Sequence, residues 1–126
     1  MKSMKIYVAG PYSGKSQNEI EQNVQNAIDA GLHIWKKGHF PYIPHLTHWS
    51  DLRSREIGVE MDWSDYVKWH GIWVDQCDAL FLLGESKGAL LECAQAKRTN
   101  KTIFYSIDEI PTVDRAPTWA DTAIKD

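Results

Sequence analysis

A chain of 126 residues with formal net charge −3, 25% charged and 43% hydrophobic, is long enough for one domain with its own core. The mild acidity and the lack of any Lys/Arg cluster argue against a nucleic-acid surface, and no apolar run reaches membrane-span length. No signal-peptide core opens the chain, so a cytoplasmic setting is expected, with Cys77 and Cys93 as buried free thiols. The six tryptophans are many for this length; packing is the default reason for them, and a planar-ligand pocket or a subunit interface is the alternative.

In chain order, "MKIYVAG" (Met4 to Gly10) is a β-rich run ending in a turn, the pattern of a buried parallel strand. "SQNE" has the S-x-x-E form of a capping box, with Ser16 as cap and Glu19 reaching back. Ile20, Val24, Ala27, Ile28, Gly31 and Trp35 then recur at helical spacing, which predicts a helix near 17–37 stopped by Gly38. "HFPYIPH" reads as a short second strand whose Pro41 and Pro44 require an edge or exit position. From His45 to Glu60 the pattern is irregular, as in a long loop covering a site. A second helix is expected from Trp63 to Gln76, with Trp63, Tyr66, Val67, Trp73, Val74 and Cys77 on its apolar face. "DALFLL" is the third strand, residues 86–99 the third helix and "KTIFYS" the fourth strand, and a short helix follows near Thr118 to Lys125. Strand–helix alternation with short crossovers predicts an α/β fold: a three-layer sandwich on a mainly parallel, flavodoxin- or Rossmann-like sheet. Ligands bind such sheets beyond the carboxyl ends of the strands, where Gly10–Lys15 and Gly84–Gly88 both lie.

Each of these loops is a candidate phosphate site. "AGPYSGKS" fits a relaxed P-loop with Gly14-Lys15-Ser16 between a strand and a helix, which suggests phosphotransfer. Pro11 removes an amide donor, Tyr12 is bulky where backbone must approach phosphate, and no strand ends in the Asp expected to help hold Mg²⁺. In "GESKGALLE", Ser86 is placed to cap the third helix, leaving free amides near Lys87 and Gly88 for an anion. Glu92 lies one turn deeper on the face of Gly88, and helical side chains lean toward the N-terminus, so its carboxylate points back over Gly88. The plainer reading makes Glu92 a solvated residue paired with Gln95 or Lys97.

Together, "MKIYVAGPYSG", "CDALFLL" and "ESKGALLECAQA" resemble the nucleoside 2-deoxyribosyltransferase superfamily over most of residues 4–106. The likeness is closest to its small members that act on 2′-deoxynucleoside 5′-monophosphates and to related phage and bacterial proteins. Ser-x-Gly-x-x-x-Glu is its most specific element. The resemblance implies that Glu92 attacks C1′ of a (deoxy)nucleotide to form a glycosyl-enzyme, which water hydrolyses or a second base resolves by transfer. It implies that Tyr7 orients that carboxylate, although a plain core aromatic is the other reading of Tyr7. Family members that exchange bases on nucleosides have a carboxylate where this chain has Ser86, and an Asp there would repel a dianion. Ser86 with Gly88 therefore implies a monophosphate. Gly10, Ser13, Gly14 and Lys15 are further phosphate-binding candidates, with Lys15 equally readable as solvated.

One departure stands out. Where the family has an Asp eight residues before Asp78, this chain has His70, which can act as the acid near neutral pH or be simply packed; Asp65 is a substitute, and loss of the acid would leave a nucleotide-binding module. Trp49, with Tyr42 or His45, is the candidate to flank the base, or Trp49 closes a dimer interface. His45 and His48 lack a third ligand of recognisable spacing, and the resemblance implies chemistry without metal or cofactor. It also implies a homodimer or higher homo-oligomer in which a neighbour completes the phosphate site; Ser106 is the nearest counterpart of that residue. The expected partners are a small nucleotide, no nucleic acid and no membrane.

Overall fold

The computed structural model describes residues 2–124. Four short strands, β1 (Lys5–Ala9), β2 (Phe40–Tyr42), β3 (Ala79–Leu82) and β4 (Thr102–Phe104), pair in parallel in the order β2-β1-β3-β4. The chain runs from β1 to β2 through α1 (Gln17–Lys36). It returns to β3 through a 3-10 turn (Pro44–Leu46), α2 (Thr47–Glu56) and α3 (Trp63–Gln76), and reaches β4 through α4 (Lys87–Arg98). Parallel crossovers are right-handed, so steps in opposite directions along the sheet put α1 on one face and α3 with α4 on the other. The expected three-layer α/β sandwich is the fold. Strand order reverses between β1 and β3, which opens a crevice at their carboxyl ends.

The period-two alternation of β1 decides which side chain meets which helix. Ile6 and Val8 pack with Ala27, Ala30 and Ile34 of α1 and Phe81 of β3. Tyr7 and Ala9 face the other way, into a core with Val74 of α3 and Ala89, Cys93 and Ala96 of α4. Tyr7 is therefore carried toward α4 by register alone. Both cysteines are free and buried, as expected, and burial pushes the Cys77 thiol up to about 11.

The boundaries follow local chemistry. Ser16 Oγ accepts from Glu19 N–H at 3.2 Å, one half of the predicted capping box. Gly38 ends α1 region at φ +98°, a conformation that favours glycine. Pro41 sits in β2, an edge strand, where its missing N–H costs no ladder bond. Buried His39 accepts from Met4 N–H on Nδ1 and donates from Nε2 to Pro111 O, tying the chain after β4 to the base of the sheet. A last short helix, α5, spans Trp119–Ala123; the expected end at Lys125 lies outside the described residues.

Two expectations change. The segment 45–60 is largely helical: α2 occupies Thr47–Glu56 instead of an irregular loop. "THWSDLRSRE" carries no apolar stripe, so hydrophobic periodicity cannot reveal it. It is held by buried His48 and Ser54 and by the pairs Asp51–Arg55 (2.7 Å) and Arg53–Glu56 (3.2 Å) at helical spacing. The buried positions of α3 are His70 and Val74, with Cys77 at its end, whereas Trp63, Val67 and Trp73 are exposed. Among the described residues no helix is long and apolar enough to cross a membrane.

Candidate functional site

A cleft of about 780 Å³ opens at the crevice between β1 and β3. Its floor is Gly10, Tyr12 and Ser13 from the β1 loop; α4 and its cap contribute Ser86, Lys87, Gly88, Ala89, Leu91 and Glu92, and α2 and α3 contribute Thr47, Asp51, Tyr66 and His70. The two loops singled out from the sequence thus meet at one site.

On the α4 side, Ser86 Oγ accepts from Ala89 N–H at 3.1 Å, which starts the helix. The other first-turn amides have no intrahelical acceptor and suit an anion. A Cβ placed on Gly88 would meet nothing within 4 Å, so that glycine leaves open space on the cleft wall. One turn deeper, Glu92 Oε2 accepts from the hydroxyl of Tyr7. Burial raises the Glu92 carboxyl from 4.5 to about 7, and the Tyr7 hydrogen bond opposes that rise. The Tyr7 hydroxyl is pushed up strongly, first by burial and then by the Glu92 charge, so it stays protonated and donates. Its ring stacks on Tyr42 at 5.4 Å, and Tyr42 stacks in turn on Trp73 at 5.3 Å. Glu92 does not make the surface pair with Gln95, whose Nε2 donates to Asp75.

His70 lines the cleft, and hydrogen-bond directions define its state. The single proton of Thr47 Oγ1 goes to Pro44 O at 2.8 Å, so Thr47 Oγ1 accepts from His70 Nε2–H at 3.1 Å. The remaining nitrogen, Nδ1, accepts from Tyr42 Oη at 3.2 Å. Both nitrogens are engaged, and burial lowers the imidazole to about 4, which keeps it neutral at pH 7.

The P-loop-like string is organised differently from an amide cradle. His45 Nε2 lies 3.1 Å from both Gly10 O and Pro11 O, and Asn23 Nδ2 donates to Tyr12 O and Ser13 O. Four consecutive carbonyls are thus claimed by side chains. Burial holds the His45 imidazole below its ordinary value. His48 Nδ1 pairs with Tyr12 Oη at 2.8 Å. Among the described residues no group of three or more His, Cys, Asp or Glu is arranged to hold a metal ion.

Of the residues named from the sequence, Gly10, Ser13, Ser86, Gly88, Glu92 and His70 line the cleft, and Tyr7 reaches it through Glu92. Gly14 and Lys15 are exposed and do not line it. Trp49 is 57% exposed on the outer side of α2 against His48. Ser106 caps the 3-10 turn after β4 in a capping box with Glu109 and is not on the cleft wall. Sequence reasoning missed Asp51, Arg55 and Tyr66, a hydrogen-bonded cluster on the cleft wall. The Asp51–Arg55 spacing of four was a signal, but only within a helix that periodicity did not disclose. It also missed Lys87, whose Nζ sits 5.1 Å over the Trp63 ring, across from α4 to the start of α3.

No curated protein matches the chain. Residues 4–106, which hold the whole sheet and every residue lining the cleft, match a family described as a domain of unknown function (DUF7768), and the chain belongs to that family.

Proposed function

We propose that the chain is an N-glycosidase of (deoxy)nucleoside 5′-monophosphates, with Glu92 as nucleophile. The observation that carries this reading is the Tyr7–Glu92 pair in the cleft, one turn below the capped N-terminus of α4. Phosphate would sit on the first-turn amides with Ser86 and Ser13, over the open face of Gly88. That places the sugar above Glu92. A Glu92 oxygen attacks C1′, the C1′–N bond breaks, and its electron pair leaves with the base, which takes up a proton. Water then attacks C1′, the glycosyl–Glu92 bond breaks, the carboxylate is regenerated and one proton is released. A second base in place of water gives deoxyribosyl transfer. The reading carries with it a cytoplasmic setting and a homodimer or larger assembly, which sedimentation of the purified chain tests.

The test is incubation with each nucleoside and deoxynucleoside 5′-monophosphate, with free base read by chromatography. Base release from at least one nucleotide, lost by about a thousand-fold in Glu92→Gln, is expected. No release from any nucleotide, or equal rates in the variant, sinks the reading.

A second reading, a nucleotide-binding or sensing module, is favoured by His70. Its nitrogens are both engaged and it is neutral, so it offers no ready proton to a leaving base. Calorimetric binding without base release, unchanged in Glu92→Gln, would support this alternative.

A further inference from the structure

The α2 side of the cleft holds a polar cluster that the Glu92 chemistry does not use. Asp51 Oδ1 accepts from Tyr66 Oη at 2.9 Å, and Oδ2 accepts from Arg55 Nη2 at 2.7 Å. An ordinary i,i+4 surface pair would leave both side chains in solvent. Here Arg55 is 73% exposed, while the Asp51 side chain is only 15% exposed, and all three residues line the cleft. Burial, then the bond to Asp51, raises the Tyr66 hydroxyl to about 12, so it acts as a donor to a charged carboxylate. A carboxylate offers about four lone-pair sites, of which Tyr66 and Arg55 fill two. Two acceptor sites are left.

Resting on the nucleotide reading, we propose that Asp51 is the base-reading residue, accepting two adjacent N–H donors from a 2-amino-6-oxopurine. The guanine edge, ring 1-NH beside a 2-amino group, supplies that pair. Hypoxanthine lacks the amino group, and adenine presents an acceptor beside its donor. The base and not the ribose diol is assigned to Asp51 because Asp51 belongs to the α2 and α3 wall of the cleft and Glu92 to the α4 wall. Glu92 is tied to Tyr7 on β1, whereas Asp51 is tied to Tyr66 on α3 and Arg55 on α2. A sugar at the Tyr7 end leaves its base for the α2 end. Of the base contacts expected from the sequence, Trp49 is outside the cleft lining, Tyr42 is stacked between Tyr7 and Trp73, and His45 lines the cleft with its Nε2 against Gly10 O and Pro11 O.

The experiment is calorimetric titration of the full chain carrying Glu92→Gln, which blocks turnover, with dGMP, dIMP, dAMP and GMP. Since hydrogen bonds to a charged group are strong, dGMP should bind at least about tenfold more tightly than dIMP or dAMP. Adding Asp51→Asn, which offers one acceptor and one donor, should bring dGMP to the level of dIMP. Equal binding of dGMP and dIMP overturns the proposal without need of any Asp51 variant, as does a guanine preference that survives Asp51→Asn. If Asp51→Asn fails to fold, Tyr66→Phe replaces it and should reduce the preference several-fold. A preference for GMP over dGMP that vanishes with Asp51, with no preference among bases, assigns Asp51 to the sugar and also overturns it. Base release by the unmodified chain is read separately. No release with guanine preference intact removes the glycosidase reading alone, and release without base preference removes this one.

Discussion

Glu92→Gln should stabilise the protein at high pH and do little at low pH. Glu92 has its folded carboxyl raised from 4.5 to about 7, chiefly by burial. The folded state therefore holds a proton that the unfolded chain has released between those values. Unfolding free energy falls as pH rises through that window, because the native state binds more protons there than the unfolded state. The full penalty, reached above pH 7, is about 3 kcal/mol. Glutamine keeps the shape and still offers a carbonyl to the Tyr7 hydroxyl, but never ionises.

Thermal unfolding of wild type and Glu92→Gln at pH 4.5 and pH 8.5 gives the difference directly. At the acidic value the two should melt together. At the alkaline value the variant should melt higher by roughly 10 °C, taking about 3 to 4 °C per kcal/mol for a chain of this size. Other titrating groups are common to both proteins and cancel in the comparison. A variant that loses stability equally at both pH values would refute the reasoning, because Glu92 would then be neither buried at a cost nor raised.

Three further predictions follow from neighbouring groups. Tyr7→Phe removes the donor that holds the Glu92 carboxyl down, so the rising limb of a base-release profile, expected near pH 7, should move to higher pH; a limb that stays put contradicts the pairing. Gly88→Ala should raise stability by a few tenths to about 1 kcal/mol, because helix propensity improves and the new methyl meets nothing. The same variant should weaken nucleotide binding in calorimetry, and unchanged affinity would mean that no ligand passes over Gly88. In His70→Gln the limb near pH 7 should persist, since His70 is already neutral above about 4; its disappearance would transfer the titration to His70.

What could be read from the sequence was whatever rested on strict periodicity or on a short-range cap. The alternation of "KIYVA" sends Tyr7 to the α4 face, and Ser86 begins α4 as its position before "KGALLE" demands. The helix α2 was illegible for a physical reason. Its stability comes from buried His48 and Ser54 and from charge pairs, not from an apolar stripe, so its sequence looks like a loop. With α2 unseen, Asp51 and Tyr66 could not be brought together, and Trp49 could not be placed on the outer side. In α3 the aromatic residues are so many that periodicity could not say which face is inward; the inward one carries His70 and Val74.

In Tyr7, core packing and a hydrogen bond to the Glu92 carboxylate coincide in one residue. Tyr7 is fully buried in the core of the α4 face and stacked on Tyr42, as a packing aromatic would be. That same packing fixes the ring so that its hydroxyl ends at Glu92. A shorter hydroxyl residue on β1 could neither fill the core nor span to α4, and a phenylalanine would fill it without donating. Burial without a donor would push Glu92 above about 7 and leave it protonated near neutral pH, useless as a nucleophile. The hydroxyl restores part of the charged population, while its own raised pKa keeps it from surrendering the proton it donates. The core and the proposed chemistry therefore constrain Tyr7 together. A substitution there is expected to move both stability and the pH of ionisation, in proportions set by whether the ring or only the hydroxyl is lost.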